Sequence, residues 1–235
     1  MKANSIFNTL LIAGAVSLTL ATPAQATLLG RDISGNAVAN NAASAVFLYD
    51  TTLDITWLRD ANYAKTSNYN GDGLMDWNTA NIWANNLIVD KYTDWRLPTT
   101  LQPDSSCSDS FNGATGIVSF GYNCTGSEMG HLWYTDLGNT AGSMTNTGDF
   151  QNVQSYVYWS GTEYAPVPYI AWLFLTLNGF QDAYFKLSQF YALAVRPGDV
   201  AAASVPEPET LLLAFTALAG LGFVRRRQTV GALAI

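Results

Sequence analysis

Val46-Phe47-Leu48-Tyr49, Asp50-Thr51-Thr52-Leu53-Asp54 and Ile55-Thr56-Trp57-Leu58 follow one another without a break. Two short runs of β-branched and aromatic residues flank a cluster of turn formers. Such side chains fit a pleated, half-buried surface, and the Asp and Thr residues between them suit a reversal of the chain, so the stretch reads as a β-hairpin. Upstream, residues 27–45 are small and show little periodicity, and they read as a lead-in to the domain.

Downstream, Asn68 to Gly73 is a loop rich in Asn, Asp and Gly. Trp77, Ala80, Trp83, Ala84 and Leu87 then recur at spacings of three and four, which predicts a helix with one apolar face, capped by Asp76 or Asp72. Ser127 is placed to cap a second, short helix through Glu128, Met129, Leu132 and Trp133. Beyond it the chain is β-rich. Tyr156 to Ser160, Ala171 to Leu177 and Ala192 to Arg196 read as strands, with Tyr184-Phe185-Lys186 as a further short one. An alanine-rich linker, 199–204, follows the domain at 46–198.

Charged residues make up 12% of the chain and aromatic residues 13%, which favours a packed interior over a charged disordered tail. A net charge of −7 and the lack of a basic stripe argue against nucleic acid as a partner. Cys107 and Cys124 are the only cysteines. An even pair in an exported domain reads as a disulfide, here stapling an insertion (Ser108 to Gly113 and beyond) too polar to form a strong core of its own.

The two ends of the chain set its compartment. Lys2, the apolar run Ile6 to Leu20 and the small-x-small site Ala24-Gln25-Ala26 read as a signal peptide over 1–26, with signal peptidase leaving Thr27 first. At the other end Val205-Pro206-Glu207-Pro208 precedes the apolar run 211–224 and Arg225-Arg226-Arg227, and a tail, 228–235, follows. As a helix that run spans roughly 21 Å, short of the ~30 Å hydrocarbon core, so it suits a temporary hold in the cytoplasmic membrane. The arginines place the domain outside that membrane. Residues 205–227 resemble the PEP-CTERM sorting signal of Gram-negative bacteria. The resemblance implies recognition of Pro206, Glu207 and Pro208 by an exosortase, followed by processing and delivery to the periplasm, cell surface or extracellular matrix. An ordinary tail anchor is the alternative.

Inside the domain, Asp54-Ile55-Thr56-Trp57-Leu58, Gly73-Leu74-Met75-Asp76-Trp77, Asp94-Trp95-Arg96-Leu97-Pro98-Thr99, Tyr158-Trp159-Ser160-Gly161-Thr162-Glu163, Ala171-Trp172 and Ala194-Val195-Arg196-Pro197 occur in that order. Together they resemble the Lcl C-terminal domain family, which is similar to the C-type-lectin and formylglycine-generating-enzyme folds. The resemblance implies an α+β fold: a twisted antiparallel sheet, two helices against it and long loops. Trp95, Trp159 and Trp172 are expected in the core. Arg96 and Arg196 read as structural arginines, with Glu163 a candidate partner.

Chemistry is sparse at this level. His131 is the sole histidine, and its place beside Leu132 and Trp133 favours a structural role. One histidine and two bridged cysteines do not supply three or four N/S ligands for zinc, and neither a nucleophile elbow nor a Walker loop is present. No catalytic residue carries over from the formylglycine-generating enzyme, and no enzymatic activity or cofactor is expected; a hydrolase or oxidoreductase is the least supported reading. Asn68, Asn70, Asp72 and Asp76 have the alternating oxygens of a calcium-loop start, although Thr79 stands where the bidentate Glu belongs. The same pattern is that of an Asx-rich turn before a helix. For ligand binding, the exposed candidates are the loop Tyr164 to Tyr169 and the cysteine loop. Tyr164 and Tyr169 suit stacking on a sugar of an extracellular polysaccharide, or packing on the sheet beneath. A self-associating matrix or biofilm protein is the competing function.

Overall fold

A computed structural model describes residues 28–201. The expected signal peptide (1–26), the sorting signal (205–227) with the membrane helix expected at 211–224, and the tail lie outside the described residues. Among the described residues, no helix is long and apolar enough to cross a membrane.

The hairpin forms as the sequence indicates. Strands β2 (Ala45–Asp50) and β3 (Ile55–Leu58) pair antiparallel from Phe47↔Leu58 to Asp50↔Ile55. The reversal is held by Asp50, whose Oδ1 accepts the N–H groups of Thr52 and Leu53, and by Asp54 at a φ of 52°. The lead-in, however, is not a passive segment. Leu28–Asp32 forms β1, which pairs with β2, and Val195–Pro197 forms β9, which pairs with β3, giving a four-stranded antiparallel sheet in the order β1-β2-β3-β9. Arg31 of β1 donates from Nε and Nη2 to both carboxylate oxygens of Asp199 (3.0 and 2.7 Å). Val200 is buried, and its carbonyl accepts from the Tyr92 hydroxyl. The packed unit is therefore wider than 46–198 at both ends.

The single twisted sheet expected from the sequence is replaced by three. Besides the four-stranded sheet there is a meander of β6 (Val157–Glu163), β7 (Ile170–Leu175) and β8 (Phe180–Phe185). The third is a hairpin of β4 (Asp109–Gly113) and β5 (Gly116–Phe120) inside the cysteine loop, a segment the sequence reading left without structure. The four-stranded sheet and the meander share an apolar cluster, and an isolated bridge fastens the hairpin to the meander. Gly121 and Gln181 exchange N–H···O bonds of 2.9 and 2.8 Å, fastening the end of β5 to the edge of β8. Gly121 has a φ of +98°, a backbone state that favours glycine, and there the chain leaves the sheet direction. The fold is α+β, mostly sheet with few helices.

Helix α2 (Trp77–Asn85) follows the short α1 (Tyr63–Thr66) and starts at Asp76, whose Oδ1 accepts the Thr79 N–H at 2.8 Å. Ala80, Trp83 and Ala84 are buried, as the periodicity requires. Helix α3 (Glu128–His131) runs directly into a widened π-turn, Leu132–Asp136. Ser127 stands at its cap position, but its Oγ accepts the N–H of Leu101 instead. Two apolar clusters fill the interior, one around Phe47, Trp95 and Trp159 and one around Trp57, Tyr158 and Phe174. The Trp159 indole donates to the carbonyl of Met75 at 2.8 Å, so even the polar atom of that buried ring is satisfied.

The arginine pairing differs from the expectation. Arg96 makes a two-pronged pair with Glu128, both N···O distances 2.7 Å, and Glu128 also accepts the Thr99 N–H. Glu163 pairs instead with Lys186. Arg196 donates to the carbonyl of Thr93 and lies over the Tyr92 ring.

Candidate functional site

Cys107 and Cys124 are joined, which closes the base of hairpin β4–β5. Ser108 donates its N–H to the carbonyl of Tyr122 just inside the bond. On the flank, the Gln102 side chain makes two bonds to the backbone of Ser119, accepting its N–H (2.9 Å) and donating to its carbonyl (2.7 Å). The disulfide, Gln102 and the Gly121–Gln181 bridge thus hold the hairpin against β8 and the Leu101–Pro103 segment.

Strand alternation then puts Phe111, Val118 and Phe120 on one face of the hairpin, with Phe111 opposite Val118. That face looks towards Tyr164, Ile170, Trp172, Asp182 and Ala183 across a hollow of about 240 Å³. An adjoining hollow of about 300 Å³ lies between Gln102, Pro103, Ile117 and the loop Thr162 to Pro166, and it shares Val118, Tyr164 and Trp172 as walls. Trp172 is buried and forms the floor. Tyr164 meets it edge-on with ring centres 5.5 Å apart. Tyr164 is fixed by its own backbone: its N–H donates to Ile170 and its carbonyl accepts from Val167.

The cleft is therefore lined by Phe111, Phe120, Tyr164 and Trp172 and edged by Gln102, Thr162, Glu163 and Asp182, of which the Gln102 amide is already bonded to Ser119 and the Thr162 hydroxyl to Thr100. Partial burial holds the Asp182 carboxyl above its ordinary range, opposed by the hydrogen bond from Ala183. The Glu163 carboxylate is paired with Lys186, which itself lies over the Trp77 ring. This combination suits a ligand with apolar C–H faces and many hydroxyls.

The structure brings Tyr164 and the cysteine loop together around the two hollows, and Tyr169 lines neither. Tyr169 stacks on Phe185 with ring centres 6.0 Å apart; Tyr184 meets Phe185, and Phe190 links Tyr184 to the exposed Tyr156. The sequence reading did not single out Phe111, Val118, Phe120, Gln102 or Trp172 as lining residues. Ile117-Val118-Ser119-Phe120 after Gly116 was the available signal, a β-type run following a turn residue.

The oxygens proposed for calcium turn onto their own backbone. Asn70 Oδ1 accepts from Asp72 and Gly73, Asp72 Oδ1 from Leu74, and Asp76 Oδ1 from Thr79. With Asn68 at a φ of 60°, the segment is a set of Asx turns leading into α2. His131 lies next to two aspartates, Asp136 five residues on at the end of the π-turn and Asp50 from the distant strand β2.

Comparison with known families matches residues 204–227 to the PEP-CTERM protein-sorting motif. That motif marks an exported protein that exosortase recognises and processes at the membrane. No curated protein and no solved structure matches the chain, and the resemblance of 46–198 to Lcl and C-type-lectin domains gains no support from these comparisons.

Proposed function

We propose that this exported protein binds a glycan, a segment of extracellular polysaccharide, in the cleft between hairpin β4–β5 and the Tyr164 loop. It acts there as a non-enzymatic component of the cell surface or extracellular matrix. One observation carries this reading: the disulfide-held hairpin and the Tyr164 loop converge on Trp172 and present a preformed aromatic floor with a polar rim. A sugar ring offers C–H bonds to such a floor and hydroxyls to such a rim. A preformed site also avoids the ordering cost that a floppy loop would incur on binding. The test is binding of the full-length chain to exopolysaccharide from a producing bacterium, compared with Tyr164→Ala and Phe111→Ala. The reading expects both variants to weaken binding at least tenfold while keeping their melting temperatures, and Tyr169→Ala to bind normally.

A second reading, self-association into a matrix, draws on these exposed aromatic residues. Tyr156, Tyr169, Tyr184 and Phe185 are each at least half exposed; Tyr169 and Tyr184 meet Phe185, and Phe190 links Tyr184 to Tyr156. Contiguous exposed apolar surface of this kind marks an interaction site. Concentration-dependent assembly without glycan, lost in Tyr169→Ser/Phe185→Ser, supports this reading. Monomeric behaviour throughout removes it.

A further inference from the structure

Asp50, His131 and Asp136 converge where the end of β2 meets the π-turn. Each offers one ligand atom, and those atoms lie within 4.8 Å of one another. Asp50 is fully buried, and the side chains of Asp136 and His131 are 1% and 12% exposed. Asp50 spends Oδ1 on the turn, but its Oδ2 has no hydrogen-bond partner. Neither carboxylate oxygen of Asp136 has one, nor has Nε2 of His131. Among the described residues seven buried side-chain polar atoms lack a partner, and four of them belong to these three residues. Such atoms are costly to bury unpaired, and their concentration at one point calls for a shared positive partner.

The backbone is shaped for this meeting. Five residues along an α-helix are roughly 140° apart around its axis, so His131 and Asp136 would diverge on a regular helix. The π-turn with its i→i+5 bonds, such as Leu137 N–H to Leu132 O at 3.0 Å, swings Asp136 back over His131. Nε2 and Asp136 Oδ1 are then 3.7 Å apart. That is too long for a hydrogen bond, yet it fits two ligands on one ion with bonds of about 2.1 Å.

We propose that Asp50, His131 and Asp136 bind one divalent transition-metal ion of the zinc type. An imidazole nitrogen disfavours calcium and magnesium, and two carboxylates neutralise a doubly charged ion. Three protein ligands leave one position for the second Asp136 oxygen or for water. The ion pins the β2–β3 turn to the α3–π segment, and His131, at the solvent edge, is the first ligand it meets.

Because His131 is the sole histidine, its imidazole resonances report on the site in the unaltered chain. The experiment titrates Zn²⁺, with Ca²⁺ as a separate arm, into chelator-treated full-length protein. It follows those resonances by long-range ¹H–¹⁵N NMR and counts bound metal after gel filtration. The expected result is one zinc per chain, with the imidazole locked in one tautomer at stoichiometric zinc and unmoved by calcium. Asp136→Asn and His131→Gln should each weaken zinc binding at least tenfold. An imidazole unperturbed by excess zinc overturns the proposal and leaves a proton shared by Asp50 and Asp136 as the partner. Stoichiometric zinc that both variants retain places the ion elsewhere and overturns it equally.

Discussion

Without an ion, burial and then the negative charge of Asp50 push the Asp136 carboxyl up from its ordinary 3.8 to about 8. The unfolded chain releases this proton near the ordinary value and the folded chain only near the raised one. Between those two pKa values the unfolded state binds fewer protons, so stability falls as pH rises through the window and levels off above it. Chelator-treated protein is expected to lose melting temperature from about pH 4 to about pH 8, by roughly 2–4 °C for each kcal/mol. Asp136→Asn should flatten this slope, since its amide is neutral throughout and supplies a donor for Asp50. Parallel curves for the two proteins would contradict the assignment. At this scale the sequence was partly legible. Trp95, Trp159 and Trp172 read correctly as core, because large aromatic residues in strand-like strings have few other places to go. The partner of Arg96 was not legible, because Glu128 is thirty-two positions away and only the tertiary fold selects it over Glu163. His131 was read without Asp50 for the same reason, without Asp136 because the π-turn that joins it to His131 is not visible in the sequence, and without either because only nitrogen and sulfur ligands were counted for zinc.

Among the elements, hairpin β4–β5 is the one whose presence changes the function assigned to the chain. Its strand β4 is fully exposed or nearly so, with Asp109 to Asn112 all open to solvent. It therefore depends on its attachments: the disulfide, Gln102 and the Gly121 bridge. Removing the covalent one with Cys107→Ser/Cys124→Ser is expected to cost about 3 kcal/mol in denaturant unfolding. The same change should lower glycan affinity, because the wall bearing Phe111 and Val118 loses its position. Unchanged affinity in the double-serine variant would mean that the hairpin is not part of the site. Hairpin β2–β3 was legible because β-branched and aromatic runs flank a cluster of turn formers, and helix α2 because its apolar residues follow the helical period. Strand β1 was not. Leu28-Leu29-Gly30-Arg31 shows no alternation, and its pairing with β2 comes from the tertiary fold together with the Arg31–Asp199 anchor. The π-turn was equally hidden, since one additional residue in a helical turn leaves no mark on a four-residue apolar pattern.

At the scale of the whole molecule, two separable parts divide the work. The sorting motif at 204–227 marks an exported protein that is processed at the membrane, and the domain meets whatever lies outside. The domain's first and last strands lie in one sheet, and Arg31 ties its start to Asp199 just ahead of that motif. Cleavage after the domain is therefore expected to leave the fold intact. Intact-mass analysis of secreted protein should find a C-terminus near Pro208, and a chain ending at Ile235 would indicate a lasting anchor instead. The separate sheets explain why six short strings in order suggested one twisted sheet. Four of them fall on strands β3, β6, β7 and β9, but the isolated bridges between segments are single residue pairs with no sequence signature. The central claim is that the cleft floored by Trp172 holds a polysaccharide, and equilibrium binding of purified wild-type and Tyr164→Ala protein to native exopolysaccharide tests it most directly. A saturable wild-type isotherm with at least a tenfold loss in an equally stable Tyr164→Ala variant is the predicted result. Wild-type protein that does not bind, or a variant that binds as well, would contradict it.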